Sequence, residues 1–324
     1  MRRSDPSSST LRGLRRLSGL ALLLALLSFP AHAAAAARVS VAIAPAAGAA
    51  SVSASEAAAV ARYWTPARMR GARPLDRILH PSAAPPPSPG SEFASASFAS
   101  VPDTTLPPFT AVGRVFLKVG GYAGFCSGTA INSASRRLVL TAGHCLYSFL
   151  PGHQLPTAAR YFDFVPDYAL GQAPFGEFIG RKALMPRPWL RSLNENYDMA
   201  AVLTEPNASG VKLADAVGGG LPIATDRARD QEYQVLGYPG AKRKRMQECD
   251  ARFSGDDRLT YPLGGPPSLG VGCYMGEGAS GGPWLINEGT EVGGITTYGH
   301  IKNFNHTFGP YFSKRNVGAL VNGL

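Results

Sequence analysis

Ser280 stands in the run Gly276-Glu277-Gly278-Ala279-Ser280-Gly281-Gly282-Pro283-Trp284. A serine in so glycine-rich a run can sit in a tight turn with its hydroxyl exposed. The backbone N–H groups of Gly278 and Ser280 are then free to converge on one point, which is what a developing oxyanion requires. A serine hydroxyl at its ordinary pKa is a poor nucleophile, so the chemistry also needs a base and a group that orients the base. Two upstream segments offer them. Thr141-Ala142-Gly143-His144-Cys145 ends a β-type run with a histidine, and Asn196-Tyr197-Asp198-Met199-Ala200-Ala201-Val202-Leu203 sets one acid at the mouth of an apolar strand. Asp163 and Asp167 lie nearer to His144 in sequence but lack a small-apolar strand after them, and rank second as the acid.

Gly278-Ala279-Ser280-Gly281-Gly282 also fits the G-x-S-x-G elbow of α/β-hydrolases, whose acid and histidine follow the serine. Only 44 residues follow Ser280, and no β/α units precede it, which argues against that reading. The order His144, Asp198, Ser280 is instead that of the chymotrypsin-type triad. Cys126-Ser127-Gly128-Thr129, the TAGHC run, Asp198-x-Ala200 and the GxSGGP run from Gly278 together resemble a chymotrypsin-fold (trypsin-like) serine endopeptidase. The resemblance covers most of residues 112–324 and is to the secreted bacterial type, related to the glutamyl endopeptidase branch.

The resemblance implies an all-β fold of two antiparallel β-barrels, with the site in the cleft between them and a short C-terminal helix. It implies that His144 acts as base and then acid, that Asp198 fixes the imidazole tautomer, and that Ser280 forms an acyl-enzyme. Gly278 and Ser280 N–H groups would hold the oxyanion. Thr296, Thr297, Tyr298 and Gly299 resemble the strand that lines the primary specificity pocket. Thr297 stands where that family carries a serine supporting the triad acid, Tyr274 falls near the pocket base, and Glu277 near its mouth. The sequence departs from the family at several of these places. Tyr274 offers no acid to favour Lys or Arg, Thr296 replaces the histidine of glutamyl endopeptidases, and Glu277 would repel an acidic side chain, so side-chain preference stays open. Ala279 replaces the aspartate that pairs with a freed N-terminus in animal trypsins, so any latency must come from residues 34–107 by another route. The rival reading is a catalytically silent homologue that binds peptides or a partner; it needs a damaged triad or oxyanion loop, and none is visible.

The elements around these residues are short. Val112–Leu117, Leu138–Thr141, Asp198–Leu203 and Val292–Tyr298 are β-type runs separated by Gly, Pro and Asn clusters. Helical periodicity is confined to Ser313–Val321. With 37 Gly and 27 Pro in 324 residues, a helical bundle is excluded, while a hydrophobic share of 45% excludes a wholly disordered chain. All four cysteines lie in the β-type region. Their spacings match no zinc pattern, and neither a metal nor a cofactor is expected. Four cysteines permit three disulfide pairings; Cys126–Cys145 with Cys249–Cys273 is the one expected, and the resemblance makes the first the staple of the His144 loop. His153, His300 and His306 read as histidines isolated from acidic clusters.

The formal charge of +10 invites a nucleic-acid reading, which its distribution removes. Residues 1–33 hold five Arg and one Asp around an apolar run, Leu17–Phe29, that is too short to span a bilayer; they read as a cleavable signal, by the general or the twin-arginine route. Residues 34–107 form a second region, expected to be a pro-segment with a Pro-rich linker or else a spacer. Within it, Thr65 followed by Pro66 marks a helix start, in a Tyr63–Pro66 stretch similar to pro-regions of secreted bacterial peptidases. Residues 108–324 form the protease-like domain, whose excess charge is the loop Lys242-Arg243-Lys244-Arg245. The expectation is a secreted monomer acting on proteins or peptides, with no nucleic-acid partner and no integral membrane association.

Overall fold

The computed structural model describes residues 39–41, 54–80, 99–240, 245–300 and 303–324, with backbone alone at 39–41, 54 and 303–305. The leader, residues 81–98 of the Pro-rich linker, and 242–244 of the basic loop lie outside the described residues. No helix among the described residues is long and apolar enough to cross a membrane.

Short β-branched and aromatic runs become strands, as their composition dictates. In the first barrel, Val112–Val119, Tyr122–Ile131, Leu138–Thr141, Ala200–Thr204, Phe178–Met185 and Arg160–Pro166 neighbour one another in that order, all antiparallel, and the last returns to the first. Val112–Val119 is buried at every position but Lys118, so both of its faces are covered. In the second barrel the order is Glu291–Ile295, Pro283–Ile286, Glu232–Gly237, Gln247–Asp256, Leu269–Val271, Asn303–Gly309 and Tyr298–His300. This sheet curls around a smaller core that includes Tyr233, Val235 and Trp284. The two-barrel, nearly all-β architecture is the one expected. The C-terminal helix is shorter than its periodicity suggests, covering Val317–Val321. Ser313 and Asn316 account for the late start: each backbone N–H in this turn is taken by the other's side chain, and Asn316 then caps Val317.

Both disulfides have the expected partners. Cys126–Cys145 closes at 2.04 Å and ties a first-barrel strand to the turn carrying His144. Cys249–Cys273 ties the strand Gln247–Asp256 to the chain that leads into the Ser280 loop.

Residues 54–80 of the N-terminal region pack on the first barrel. The expected helix spans Pro66–Gly71, with Thr65 Oγ1 accepting from Arg68 N at 3.2 Å. Trp64 is buried against Phe116, with ring centroids 5.4 Å apart, and its indole N–H donates to Tyr161 O. Tyr63 stacks on Tyr161 at 4.8 Å. Arg73–Pro74 adds a parallel strand to Gly124–Phe125, and the helix Leu75–Leu79 follows directly, burying Leu75 and Ile78 over Gly124. Full burial of such apolar side chains is worth about 1.5–3 kcal/mol each. The segment therefore arrives at the cleft edge with a defined direction.

Candidate active site

Strand Leu138–Thr141 ends in a turn in which Leu146 N and Tyr147 N both donate to Gly143 O at 2.9 Å. That turn presents His144 toward the gap between the barrels. Asp198, buried, grips it twice: His144 backbone N donates to Asp198 Oδ1 at 2.7 Å, and His144 Nδ1 lies 2.7 Å from Asp198 Oδ2. The double contact fixes both backbone and ring. Asp198 closes a 3-10 turn over Glu195–Tyr197 that is locked to the second barrel by Asn196. Asn196 Nδ2 donates to Thr260 O and Gly264 O at 3.0 Å each, and its Oδ1 accepts from Ser268 N at 2.8 Å.

The Ser280 loop is shaped by its glycines. Gly278 has φ +92°, and a Cβ there would stand 2.6 Å from the Phe125 ring. At Gly281, φ +85°, a Cβ would meet Thr141 Oγ1 at 2.2 Å. Neither position admits a side chain, which is the physical content of the motif. Ser127, seen in sequence only as part of CSGT, pins the same loop from the first barrel. Its N–H donates to Ser280 O at 2.8 Å, and its hydroxyl donates to Gly278 O at 2.9 Å while accepting from Tyr238 N.

The structure brings His144, Asp198, Gly278 and Ser280 together, and adds a residue the sequence reading did not single out. Asp76, on the helix Leu75–Leu79, places its carboxylate among them. Oδ2 accepts from Gly278 N at 2.8 Å, Oδ1 accepts from Ser280 Oγ at 2.8 Å, and His144 Nε2 lies 3.2 Å from the same Oδ1. The Ser280 hydroxyl is thus engaged by Asp76. Arg77, the next residue, forms an ion pair with Glu277 at 2.6 Å.

The charges in this cluster act on one another. Burial alone would push the His144 pKa down; the Asp198 carboxylate, joined by Asp76, reverses this and raises it to about 10. Burial works to raise the Asp76 pKa, but the hydrogen bond and charge of His144, with Gly278 N–H and Ser280 Oγ, hold it below the usual carboxylate range. An imidazolium between two carboxylates is the resulting state.

The remaining expected residues are placed as follows. Thr296 is buried, its hydroxyl accepting from Trp284 Nε1 at 2.9 Å. Thr297 does not support Asp198: its hydroxyl donates to Phe308 O at 3.0 Å, because strand Asn303–Gly309 lies alongside it. Tyr274 lies against Gly299, and burial, with the nearby Asp76 and Glu277 charges, pushes its phenol up to about 12. Tyr298 donates to Asp257 Oδ2 at 2.7 Å. His300 is not isolated from acids, as its sequence neighbours suggest; its Nε2 lies 2.9 Å from the same Asp257 oxygen, brought there by the 3-10 turn from Arg258 that sequence distance conceals.

The two rival acids lie elsewhere. Asp163 is buried inside the first barrel, where burial and the Glu177 charge push its pKa well up. Asp167 is half-buried with Thr104 and Arg245 as its neighbours, its pKa raised by burial. The sulfurs of Cys126 and Cys145 approach His144, but bonded to each other they offer no thiolate to a cation.

Among solved structures the chain is similar to the protease Anisep from Arthrobacter nicotinovorans, at 29% identity and a TM-score of 0.60, covering 70% of this chain and 98% of that one. It is similar also to AL20, a thermostable serine protease from an extremophilic microorganism, at 29% identity and a TM-score of 0.58, covering 66% and 96%. A Glu endopeptidase in complex with MPD shares the fold at 18% identity and a TM-score of 0.56, covering 72% and 100%. No protein-family model matches the chain. No curated protein matches it either.

Proposed function

We propose that this chymotrypsin-fold serine endopeptidase is an exported enzyme that cleaves proteins through an acyl-enzyme on Ser280. His144 takes the Ser280 hydroxyl proton on Nε2 as Oγ bonds to the scissile carbonyl carbon. The carbonyl oxygen, now an anion, is held by the Gly278 and Ser280 N–H groups. As the C–N bond breaks, His144 returns the proton to the leaving amine. Water then repeats the sequence to release the acid and restore Ser280. Asp198 keeps the Nδ1 proton in place and stabilises the imidazolium throughout.

One observation carries this reading. Gly278 N–H, Ser280 Oγ and His144 Nε2 all converge on a single carboxylate, so the site holds negative charge beside a hydroxyl and a base. Support for export comes from the leader pattern and the two disulfides. Residues 108–324 are the enzyme proper, residues 34–107 the pro-segment. Glu277 beside Tyr274 favours substrates without an acidic side chain at the cleavage point.

A fluorophosphonate probe applied to protein processed to lose the N-terminal segment is expected to label Ser280, located by peptide mapping. No label on correctly processed protein would overturn the assignment and leave the silent-homologue reading standing.

A further inference from the structure

We infer that Asp76 is an internal plug of the oxyanion site, through which the N-terminal segment holds the enzyme latent before processing. The inference rests on the Ser280 assignment above and adds the regulation of that site. Four features carry it.

The first is position. Asp76 occupies with one oxygen the donor expected to hold a substrate oxyanion, Gly278 N–H, and with the other both Ser280 Oγ and His144 Nε2. A substrate carbonyl and this carboxylate exclude each other.

Chemistry is the second. Attack of Ser280 on a carboxylate would have to expel oxide, so the occupant gives no acyl-enzyme. It also keeps the histidine protonated on the nitrogen that has to accept the serine proton. The plug therefore disables base and nucleophile with one group.

The backbone supplies the third. Asp76 sits within the helix Leu75–Leu79, and its own carbonyl accepts from His80 N at 2.8 Å. What reaches Ser280 is a side chain, not an extended peptide bond, so the segment resists cleavage at the point where it blocks.

The fourth is anchorage on both flanks. Arg73–Pro74 pairs with Gly124–Phe125, Leu75 and Ile78 bury over that strand, and Arg77 is paired with Glu277 of the nucleophile loop. Each contact belongs to residues 73–78, and together they aim one carboxylate.

The test compares Ser280 labelling by a fluorophosphonate in the full chain, in full chains carrying Asp76→Ala or Asp76→Asn, and in each after proteolytic removal of the segment. The intact chain is expected to label about 100-fold more slowly than the processed one, as loss of several hydrogen bonds to a charged group implies. Asp76→Ala is expected to restore most of that rate without processing, and Asp76→Asn part of it. Processed protein from every variant should label alike, which shows that each has folded. If processed protein labels but the intact chain labels equally fast, the plug is refuted and the protease reading survives. If Asp76→Ala stays as protected as the parent, the block belongs to the packed segment and not to Asp76. If processed protein does not label at all, it is the Ser280 assignment that fails.

Discussion

Two carboxylates reach His144 from opposite sides of its ring, and the regions that deliver them differ in every respect but that chemistry. Asp198 comes from a buried turn bolted across both barrels through Asn196, and it touches Nδ1 and the backbone. Asp76 comes from a five-residue helix at the cleft edge, and it touches Nε2. The same ion-pair chemistry therefore has opposite consequences. Under the proposed mechanism, a carboxylate at Nδ1 orients the base and leaves the working nitrogen open, whereas one at Nε2 occupies the working nitrogen and the nucleophile together. Anchorage decides which contact lasts. Asp198 is held by the fold that makes the site, whereas Asp76 depends on a segment joined to the enzyme through a Pro-rich stretch.

The comparison breaks most severely at Asp198. Asp198→Asn keeps the shape but offers the imidazole an amide that favours the wrong tautomer, so turnover by processed protein should fall about 10⁴-fold. Near-normal circular dichroism and an intact Cys126–Cys145 bridge would show that the fold survives. Turnover unchanged from the parent would remove Asp198 from its role. No such loss is expected at Asp76 once the segment is gone, and that contrast is the sharpest measure of how the two acids differ.

A second prediction uses the charge state. The Asp76 pKa is lowered in the closed chain, so its share of the closure is complete above the usual carboxylate value of about 4 and is lost as pH falls through the lowered value. Against burial, the His144 pKa is raised to about 10, chiefly by Asp198, which stays in place when the segment leaves, with Asp76 adding to it; the Asp76 share is lost as pH rises through about 10. Closure should be tightest from about pH 4 into the neutral range, and weaken as pH falls below that value or rises toward about 10. The groups facing this pair include Asp198, Glu195, Glu277, Arg77 and Tyr274. The measurement is the ratio of Ser280 labelling rates in Asp76→Ala and parent full chains across pH, in which the Asp198 effect largely cancels. A flat ratio from pH 5 to 10 would assign the closure to the apolar packing of Leu75 and Ile78 instead.

Much of this site was legible in sequence because glycine, serine and histidine leave local marks. The Gly278 and Gly281 positions reject any side chain, so the loop that carries Ser280 is written in consecutive residues. Short β-type runs and cysteine placement likewise marked barrels and staples. What stayed hidden is contact across long sequence distances between residues of ordinary type. Asp76 lies 202 residues from Gly278 and 204 from Ser280, in a stretch with no motif beyond the Thr65–Pro66 helix start. Asn196 was visible only as a neighbour of Asp198, and the pairing of His300 with Asp257 spans 43 residues. One available signal is Ala279, whose lack of charge excludes the trypsin route to latency and leaves residues 34–107 as its source without singling out a residue.

The smallest expected effect separates the plug from its latch. Arg77 pairs with Glu277 at 2.6 Å, but the Arg77 side chain is 43% exposed, so water screens the attraction. Exposed pairs of this kind contribute about 0.2–1 kcal/mol, so Arg77→Ala should raise Ser280 labelling of the intact chain by a factor of about 1.4 to 5. Labelling of the processed enzyme should not change, because Arg77 lies in the proposed pro-segment and would leave with it. Glu277 gives the converse test, since it stays with the enzyme at the pocket mouth. Glu277→Gln is expected to loosen the intact chain by a similar factor and also to alter the side-chain preference of the processed one. If Arg77→Ala instead opened the chain as fully as Asp76→Ala, the latch would be the principal restraint and Asp76 a passenger on it. The half-buried Asp76 carboxylate, with three partners against one for the more exposed Arg77, argues for the opposite ranking.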